Sequence, residues 1–232
     1  MAHTEHFFDL TGSLTYLSVI ALALFFGPGD PRAMLIGVLV IVWAGRLGSF
    51  LFGRVRAAGA DSRFNKMKYN FWQYLMTWTL QGLWVSLTLA AGLVAMTTAG
   101  SEPLGGAAAL GALLWIAGFT LEVVADRQKT AFRADPINEG QFIRTGLWAW
   151  SRHPNYLGEI MLWAGIAIIA VPVMQGWQYA ALISPVFVFV LLNYVSGVSL
   201  LERQGKKRWG NDPAYQEYLA NTPVLLMSRP KR

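Results

Sequence analysis

The sequence predicts an all-α, polytopic membrane helical bundle with about six transmembrane helices and no Rossmann domain, and three observations carry that prediction. The 232 residues are 54% hydrophobic and only 14% charged, whereas soluble domains carry roughly 25% charged residues. Six apolar segments reach or approach the length of about 20 residues that a helix needs to cross the hydrocarbon core. The basic residues are also segregated. Of 19 Lys and Arg, all but Arg32 and Arg46 fall in three segments that six crossings place on one side with the N-terminus.

The first span, Leu10–Phe26, follows a stretch without Lys or Arg and precedes no small-residue cleavage site, so it reads as a span rather than a cleaved signal peptide. The second, Met34–Gly53, carries Arg46 about two turns inside the apolar run, where it is expected to pair with a buried acid. The polar stretch Arg54–Tyr69 follows, and its Asp61, Arg63, Asn65 and Lys66 could close over a ligand or form an ordinary solvated loop. Asn70–Met96 and Leu104–Ala125 are the third and fourth spans. The polar stretch Asp126–Pro154 leads to the fifth, Asn155–Met174, and the sixth is Tyr179–Leu201. Trp72 with Tyr74 and Trp177 with Tyr179 are placed as interfacial anchors, and Pro172 and Pro185 as positions that could kink a span. The excess of Lys and Arg on one side puts both termini in the cytoplasm. Residues 1–232 form a single integral membrane domain on this reading. Topology and anionic headgroups account for the net charge of +6 without nucleic acid.

Composition excludes several chemistries. Without cysteine there is no disulfide framework, thiolate zinc site or iron–sulfur cluster. Three histidines, His3, His6 and His153, are too few and too scattered for a histidine-built metal or haem site. Any redox cofactor is therefore organic, and no metal site is expected.

Ionisable groups inside or at the edge of a span are costly and face a bundle interior or a polar cavity. Asp9, Arg46, Glu122, Asp126, Glu159 and Glu202 are such groups. Asp9, Asp126, Glu159 and Glu202 belong to four different spans at one depth, which implies a polar cavity open to the cytosol. Asp9 and Glu202 could equally be solvated helix ends. Glu122 and Asp126 are four residues apart on one helix face and need a balancing donor.

The most informative stretch runs from Gly146 to Ile160. Pro154 suits the first turn of a helix, having no N–H to leave unpaired. Arg152 and His153 then stand at a helix N-terminus, where free N–H groups and the dipole favour an anion. Asn155, Tyr156 and Glu159 follow on one face, and Gly158 allows a ligand or a neighbouring helix to come close. The arrangement suits a nucleotide with its phosphates outside and its reactive ring one turn deeper. The plain structural reading is an interfacial turn with snorkelling Arg and Tyr.

The run Arg152-His153-Pro154-Asn155-Tyr156-Leu157-Gly158-Glu159, with the tail Leu200-Leu201-Glu202-Arg203, Trp209-Gly210, Tyr215 and Tyr218, resembles the steroid 5-alpha-reductase family and its bacterial members. The likeness covers Leu121–Pro223. It implies a helical membrane enzyme, of seven spans in the eukaryotic members, that uses NADPH to deliver hydride to the β-carbon of an enone lipid such as a 3-oxo-4-ene steroid. By the same resemblance the cofactor-binding asparagine and glutamate match Asn155 and Glu159, and an acid–arginine pair matches Asp126 and Arg133. A further arginine matches Arg144. Glu202 and Arg203 stand where the family has its tail contacts, and Asp9 matches the glutamate that polarises the substrate carbonyl. The family tyrosine that partners it falls near Trp43, which has no hydroxyl.

The chemistry of the residues is compatible with this. Arginine reads phosphates bidentately, so Arg144, Arg152 and Arg203 suit a phosphorylated cofactor, with His153 beside them. No Gly-x-Gly-x-x-Gly follows a strand, so a nicotinamide must lie among helices. Asp9, if protonated in an apolar site, or Tyr156 could donate toward the developing enolate oxygen. The expected partners are a lipid-soluble enone or steroid and membrane lipids, with no nucleic acid and no obligate protein partner. The expected location is the bacterial inner membrane. The main alternative is an S-adenosylmethionine-dependent membrane methyltransferase resembling the isoprenylcysteine carboxyl methyltransferases, which share an Arg-His-Pro-x-Tyr turn and a tail glutamate. A transporter with a buried proton path is the non-enzymatic alternative, and no internal repeat supports it.

Overall fold

The computed structural model describes residues 7–58, 69–99 and 102–229. His3, His6, Asp61, Arg63, Asn65 and Lys66 lie outside the described residues. The described chain contains helices and no strand. In order these are α1 (Phe8–Phe26), α2 (Pro31–Ala58), α3 (Phe71–Thr97), α4 (Gly106–Ala134), α5 (Pro154–Ala170), α6 (Ile183–Val190), α7 (Val198–Trp209) and α8 (Pro213–Asn221), with short 3-10 turns between them.

Among the described residues, six helical stretches are long and apolar enough to cross a membrane: Phe8–Phe26, Pro31–Arg56, Phe71–Thr97, Gly106–Ala134, Pro154–Val173 and Gly176–Trp209. These are the six segments read from the sequence, with different ends. The fourth runs to Ala134 rather than stopping at Ala125, so Asp126 and Arg133 lie on helix instead of in a loop. The sixth is interrupted. It begins as a 3-10 turn at Gly176–Leu182, continues as α6, passes through a π-helical turn at Leu191–Val195, and resumes after Gly197 as α7. Pro172 falls in the 3-10 turn that ends α5, and Pro185 in the first turn of α6. Neither proline makes the break at residues 191–197. Trp72, Trp177 and Tyr179 are exposed, as interfacial anchors should be.

The chain forms two compact units, residues 1–109 with 166–184, and residues 110–165 with 185–232. The first is built on α1, α2 and α3. Its core includes Ile20, Ile36, Val40, Leu89 and Met96, all fully buried, with Tyr16 edge-on to Trp43 at 4.9 Å between ring centroids. Arg32, the lone basic residue expected on the far side, is buried in this unit. Its guanidinium donates to the carbonyls of Ile169 at 2.6 Å, Pro103 at 3.0 Å and Glu102 at 3.1 Å. The Ile169 carbonyl belongs to the last turn of α5, where a cation also complements the helix dipole. Arg46 stands 4.9 Å over the ring of Phe50, one turn on along α2.

In the second unit α4 and α5 cross through glycine. A Cβ at Gly118 would meet the Gly158 carbonyl at 2.5 Å, and one at Gly158 would meet the Gly118 carbonyl at 2.5 Å. Seven residues away on both helices, a Cβ at Gly165 would meet the Gly111 carbonyl at 2.5 Å. Gly158 therefore admits a neighbouring helix, and the space it leaves is filled by α4. This is the close backbone approach that small residues allow between membrane helices. Its consequence is positional, because it sets the acids of α4, Glu122 and Asp126, beside the polar start of α5.

Candidate functional site

Pro154 begins α5 as its first helical residue. Immediately before it, the carboxylate of Glu202, on α7, accepts two side-chain bonds. One comes from Arg152 Nη1 at 2.7 Å and the other joins it to His153 Nε2 at 2.9 Å. Glu202 is thus a ligand of the Arg152–His153 turn rather than a solvated helix end. The π-helical turn and Gly197 put it there. A side chain at Gly197 would run into the Leu192 carbonyl and would come to 2.9 Å from the Tyr156 ring. Glycine at this break lets α7 begin close against α5. Helical irregularities of this kind recur at functional sites.

His153 is buried, with its ring stacked on Tyr156 at 5.6 Å and 8° between planes. Burial holds its pKa below the usual 6.5, outweighing the hydrogen bond and the charge of Glu202, which push it up. A carboxylate only accepts, so Nε2 carries the proton. In the neutral ring Nδ1 is then an acceptor, and it is buried without a hydrogen-bond partner. Arg152 Nε is buried without one as well.

At the second residue of α5, Asn155 Nδ2 donates to Asp126 Oδ1 at 3.2 Å. Asp126 is buried on α4, one turn beyond Glu122, which is buried also. The shared face expected for these two acids is present, and it points into the protein. Glu159 and Tyr156 are half-buried on α5.

Arg133, Arg144 and Arg203 are exposed. Arg144 lies over Phe142 at 5.8 Å and lines an open cleft with Ala149, Ala214, Glu217, Tyr218 and Asn221. Asp9 is half-buried in the first turn of α1 and belongs to the first unit, whereas all the others belong to the second.

The free N–H groups expected at the start of α5 do not include those of Arg152 and His153. Those two donate instead to the carbonyls of Pro223 and Val224 at 2.9 and 3.1 Å. Orphan N–H groups at a helix start take whatever acceptor is available, and the chain's own tail supplies it.

Several residues that support the site were given no role from the sequence. Trp148 Nε1 donates to the Ala125 carbonyl at 3.0 Å, and Lys129 stands 4.4 Å over the Trp148 ring. Gln128 Oε1 accepts from the Leu147 N–H at 2.9 Å, where Gly146 has φ +60°. Tyr218 donates its hydroxyl to the Trp148 carbonyl at 2.8 Å, and burial pushes its pKa well above the ordinary phenol value. The aromatic density of Gly146–Trp150 was the available signal. It marks a packed turn that joins α4, α5 and α8.

Residues 1–222 match a family described as "Protein of unknown function (DUF1295)". An uncharacterized protein of the fission yeast Schizosaccharomyces pombe is 29% identical over 206 residues, covering 72% of this chain. The match spans 58% of that relative's length. No solved structure matches.

Proposed function

The chain belongs to the DUF1295 family, and from that premise we propose that it is an NADPH-dependent membrane reductase of the steroid 5-alpha-reductase kind, acting on the carbon–carbon double bond of an enone lipid. The observation that carries this reading is the gathering of Arg152, His153 and Glu202 with Asn155 and Asp126 in one unit, from segments up to 76 residues apart, on the motif that resembles that family. Charged and amide groups beside apolar helices are costly to hold, and these lie where a ligand's polar groups could exchange with them.

The residues fit such a cofactor. Arg152 Nε and His153 Nδ1 are buried polar atoms still lacking partners. Arg144 lines the open cleft, and Arg133 and Arg203 add exposed positive charge suited to phosphates. Asn155 offers an amide, and Glu159 a carboxylate one turn deeper. When bound, NADPH supplies the hydride for the β-carbon of the enone. Tyr156, in the same unit as the cluster, donates toward the carbonyl oxygen, stabilising the charge that develops there. The apolar helix faces exclude water from the reacting atoms. A lipid-soluble substrate enters from the bilayer, and the polar cluster lies at the cytoplasmic face of a bacterial inner membrane with both termini on that side.

The second reading, an S-adenosylmethionine-dependent methyltransferase, draws on one specific observation. The Arg152–His153 turn and the tail Glu202, the features shared with those enzymes, are bonded to each other. The Asn155–Asp126 bond favours the reductase.

The test is NADPH binding to the purified protein, followed through its fluorescence, and NADPH consumption across a panel of enone lipids. Asn155→Ala and Glu159→Ala each abolish binding while the helical circular dichroism stays intact. Wild-type cofactor affinity in both variants would overturn the assignment. Release of S-adenosylmethionine or its demethylated product from the purified protein would favour the second reading.

A further inference from the structure

The backbone of Arg152 and His153 is held from outside its own helix. Arg152 N–H donates to Pro223 O at 2.9 Å, His153 N–H to Val224 O at 3.1 Å, and Ser228 N–H returns a bond to Trp150 O at 3.0 Å. Ser151 fastens the same contact from the middle. Its hydroxyl lies 2.9 Å from the Leu225 carbonyl and 3.3 Å from that of Val224, and its oxygen accepts from the His153 N–H at 3.3 Å. A hydroxyl has one proton to donate and lone pairs to accept with, and Ser151, fully buried, uses both. The approach of this segment is itself fixed. Tyr218, one turn before the end of α8, bonds the Trp148 carbonyl at 2.8 Å, and Thr222 is buried.

These contacts bear on the ligand cluster directly. The two residues they immobilise are the two that reach Glu202. A guanidinium and an imidazole meet one carboxylate only if the turn carrying them has a single conformation. The start of α5 lacks helical partners for its first N–H groups, so the tail carbonyls define that conformation. Without them the same N–H groups would turn to water, and the arginine and histidine would lose their common target.

We propose that residues 222–228 are part of the ligand site, a strap that sets Arg152 and His153 in place, with Ser151 as the positioning residue that ties the strap to the turn. The binding readout of this inference rests on the reductase reading given above. A second readout, the titration of the His153 imidazole, is independent of any ligand. The groups acting on that ring are Glu202, Arg152 and Lys129.

The experiment compares four proteins in detergent, each carrying His3→Gln and His6→Gln so that one imidazole remains. They are the full chain, a chain ending at Ser228 that keeps every strap bond, a chain ending at Thr222, and Ser151→Ala. The full chain and the Ser228 chain should show His153 titrating below 6.5 by nitrogen-15 resonance. In the Thr222 chain and in Ser151→Ala the titration should move up toward 6.5 as water reaches the ring. NADPH affinity should fall about tenfold, as expected for loss of a hydrogen-bonded arrangement. The turnover number at saturating NADPH should stay within about twofold, separating positioning from chemistry. If the Thr222 chain does not fold, Ser151→Ala decides alone. A His153 titration unmoved by Ser151→Ala overturns the proposal. A full chain that binds no NADPH removes the reductase reading, and the His153 titrations still decide for or against the strap.

Discussion

The two units hold their conspicuous polar groups differently. In the first, several polar side chains turn to backbone. Arg32 donates to three carbonyls, Gln81 to the Phe8 carbonyl at 2.8 Å, and Ser184 to that of Thr88. In the second, side chains from distant segments bond one another, with Arg152 and His153 meeting Glu202 and Asn155 meeting Asp126. The difference is one of exchangeability. A carbonyl at a helix end is fixed by the fold, so a donor bonded to it serves architecture. A carboxylate or amide on a rotatable side chain can give up one partner for another with a small torsional change, and a ligand can take the vacated place. Polar groups in a membrane protein are therefore better sorted by what they bond than by how deeply they are buried.

The most severe way to break this comparison is Arg32→Met. Methionine fills much of the same volume and leaves three carbonyls without their donor, in a protein whose lipid-facing side offers no water to replace it. Bonds to a charged donor contribute about 1.5–3 kcal/mol each and are not additive, so we expect a loss of about 4 kcal/mol. Thermal unfolding in detergent reads this. NADPH affinity of the protein that remains folded should be unchanged, and a selective loss of affinity would show that the first unit's arginine belongs to the ligand chemistry after all.

A smaller effect is expected at the glycine crossing. In Gly158→Ala the added methyl meets the Gly118 carbonyl at 2.5 Å and the Glu122 nitrogen at 2.7 Å, both backbone atoms that cannot rotate away. Overpacking of this kind costs about 1–3 kcal/mol. Asn155 is less than one turn along α5 and bonds an acid on α4, so separating the helices should weaken NADPH binding as well as stability. Gly45→Ala is the matched control in the other unit, because a Cβ there meets nothing within 4 Å. That variant should unfold and bind as the parent does. Equal effects at Gly45 and Gly158 would mean that the crossing does not organise the site.

How much of this was legible depended on the range of each signal. The six spans were, because each is a local run whose hydropathy needs no partner. The extension of α4 to Ala134 was not, since Asp126 and Arg127 look like the end of a span although the residues after them, Gln128 to Phe132, are compatible with helix. The break at residues 191–197 hides in Leu-Leu-Asn-Tyr-Val-Ser-Gly, which carries no proline and only one glycine. Arg152, His153, Asn155, Asp126 and Glu202 stood out because polar groups in or beside apolar helices are conspicuous. Their pairing could not be read, because it depends on the crossing of α4 with α5 and on where α7 restarts. Ser151 and residues 222–228 left no trace at all. Their interaction is made by carbonyls and N–H groups, which every residue has, and by one serine of ordinary appearance.

The mildest prediction concerns protons and separates His153 from its surroundings. Burial lowers its pKa in the folded protein, against an ordinary value of 6.5. Above pH 6.5 the imidazole is neutral in both folded and unfolded chains and contributes no pH dependence. Below pH 6.5 the unfolded chain takes up a proton that the folded chain resists, so stability falls as the pH drops from 6.5 toward the lowered value. A single site changes stability by at most about 1.4 kcal/mol per pH unit in that window. Carboxylates that titrate lower down add their own slope, so the measurement is a difference. Unfolding of the protein with His3→Gln and His6→Gln is compared with the same protein carrying His153→Gln, between pH 7 and pH 5. The parent should lose stability on acidification faster than the His153→Gln protein, in which a neutral amide can still donate to Glu202. Parallel curves would mean that His153 is as protonatable in the folded protein as in the unfolded chain, and that the bonds to Glu202 are held by a charged imidazolium rather than by the neutral ring whose Nδ1 is open to a ligand.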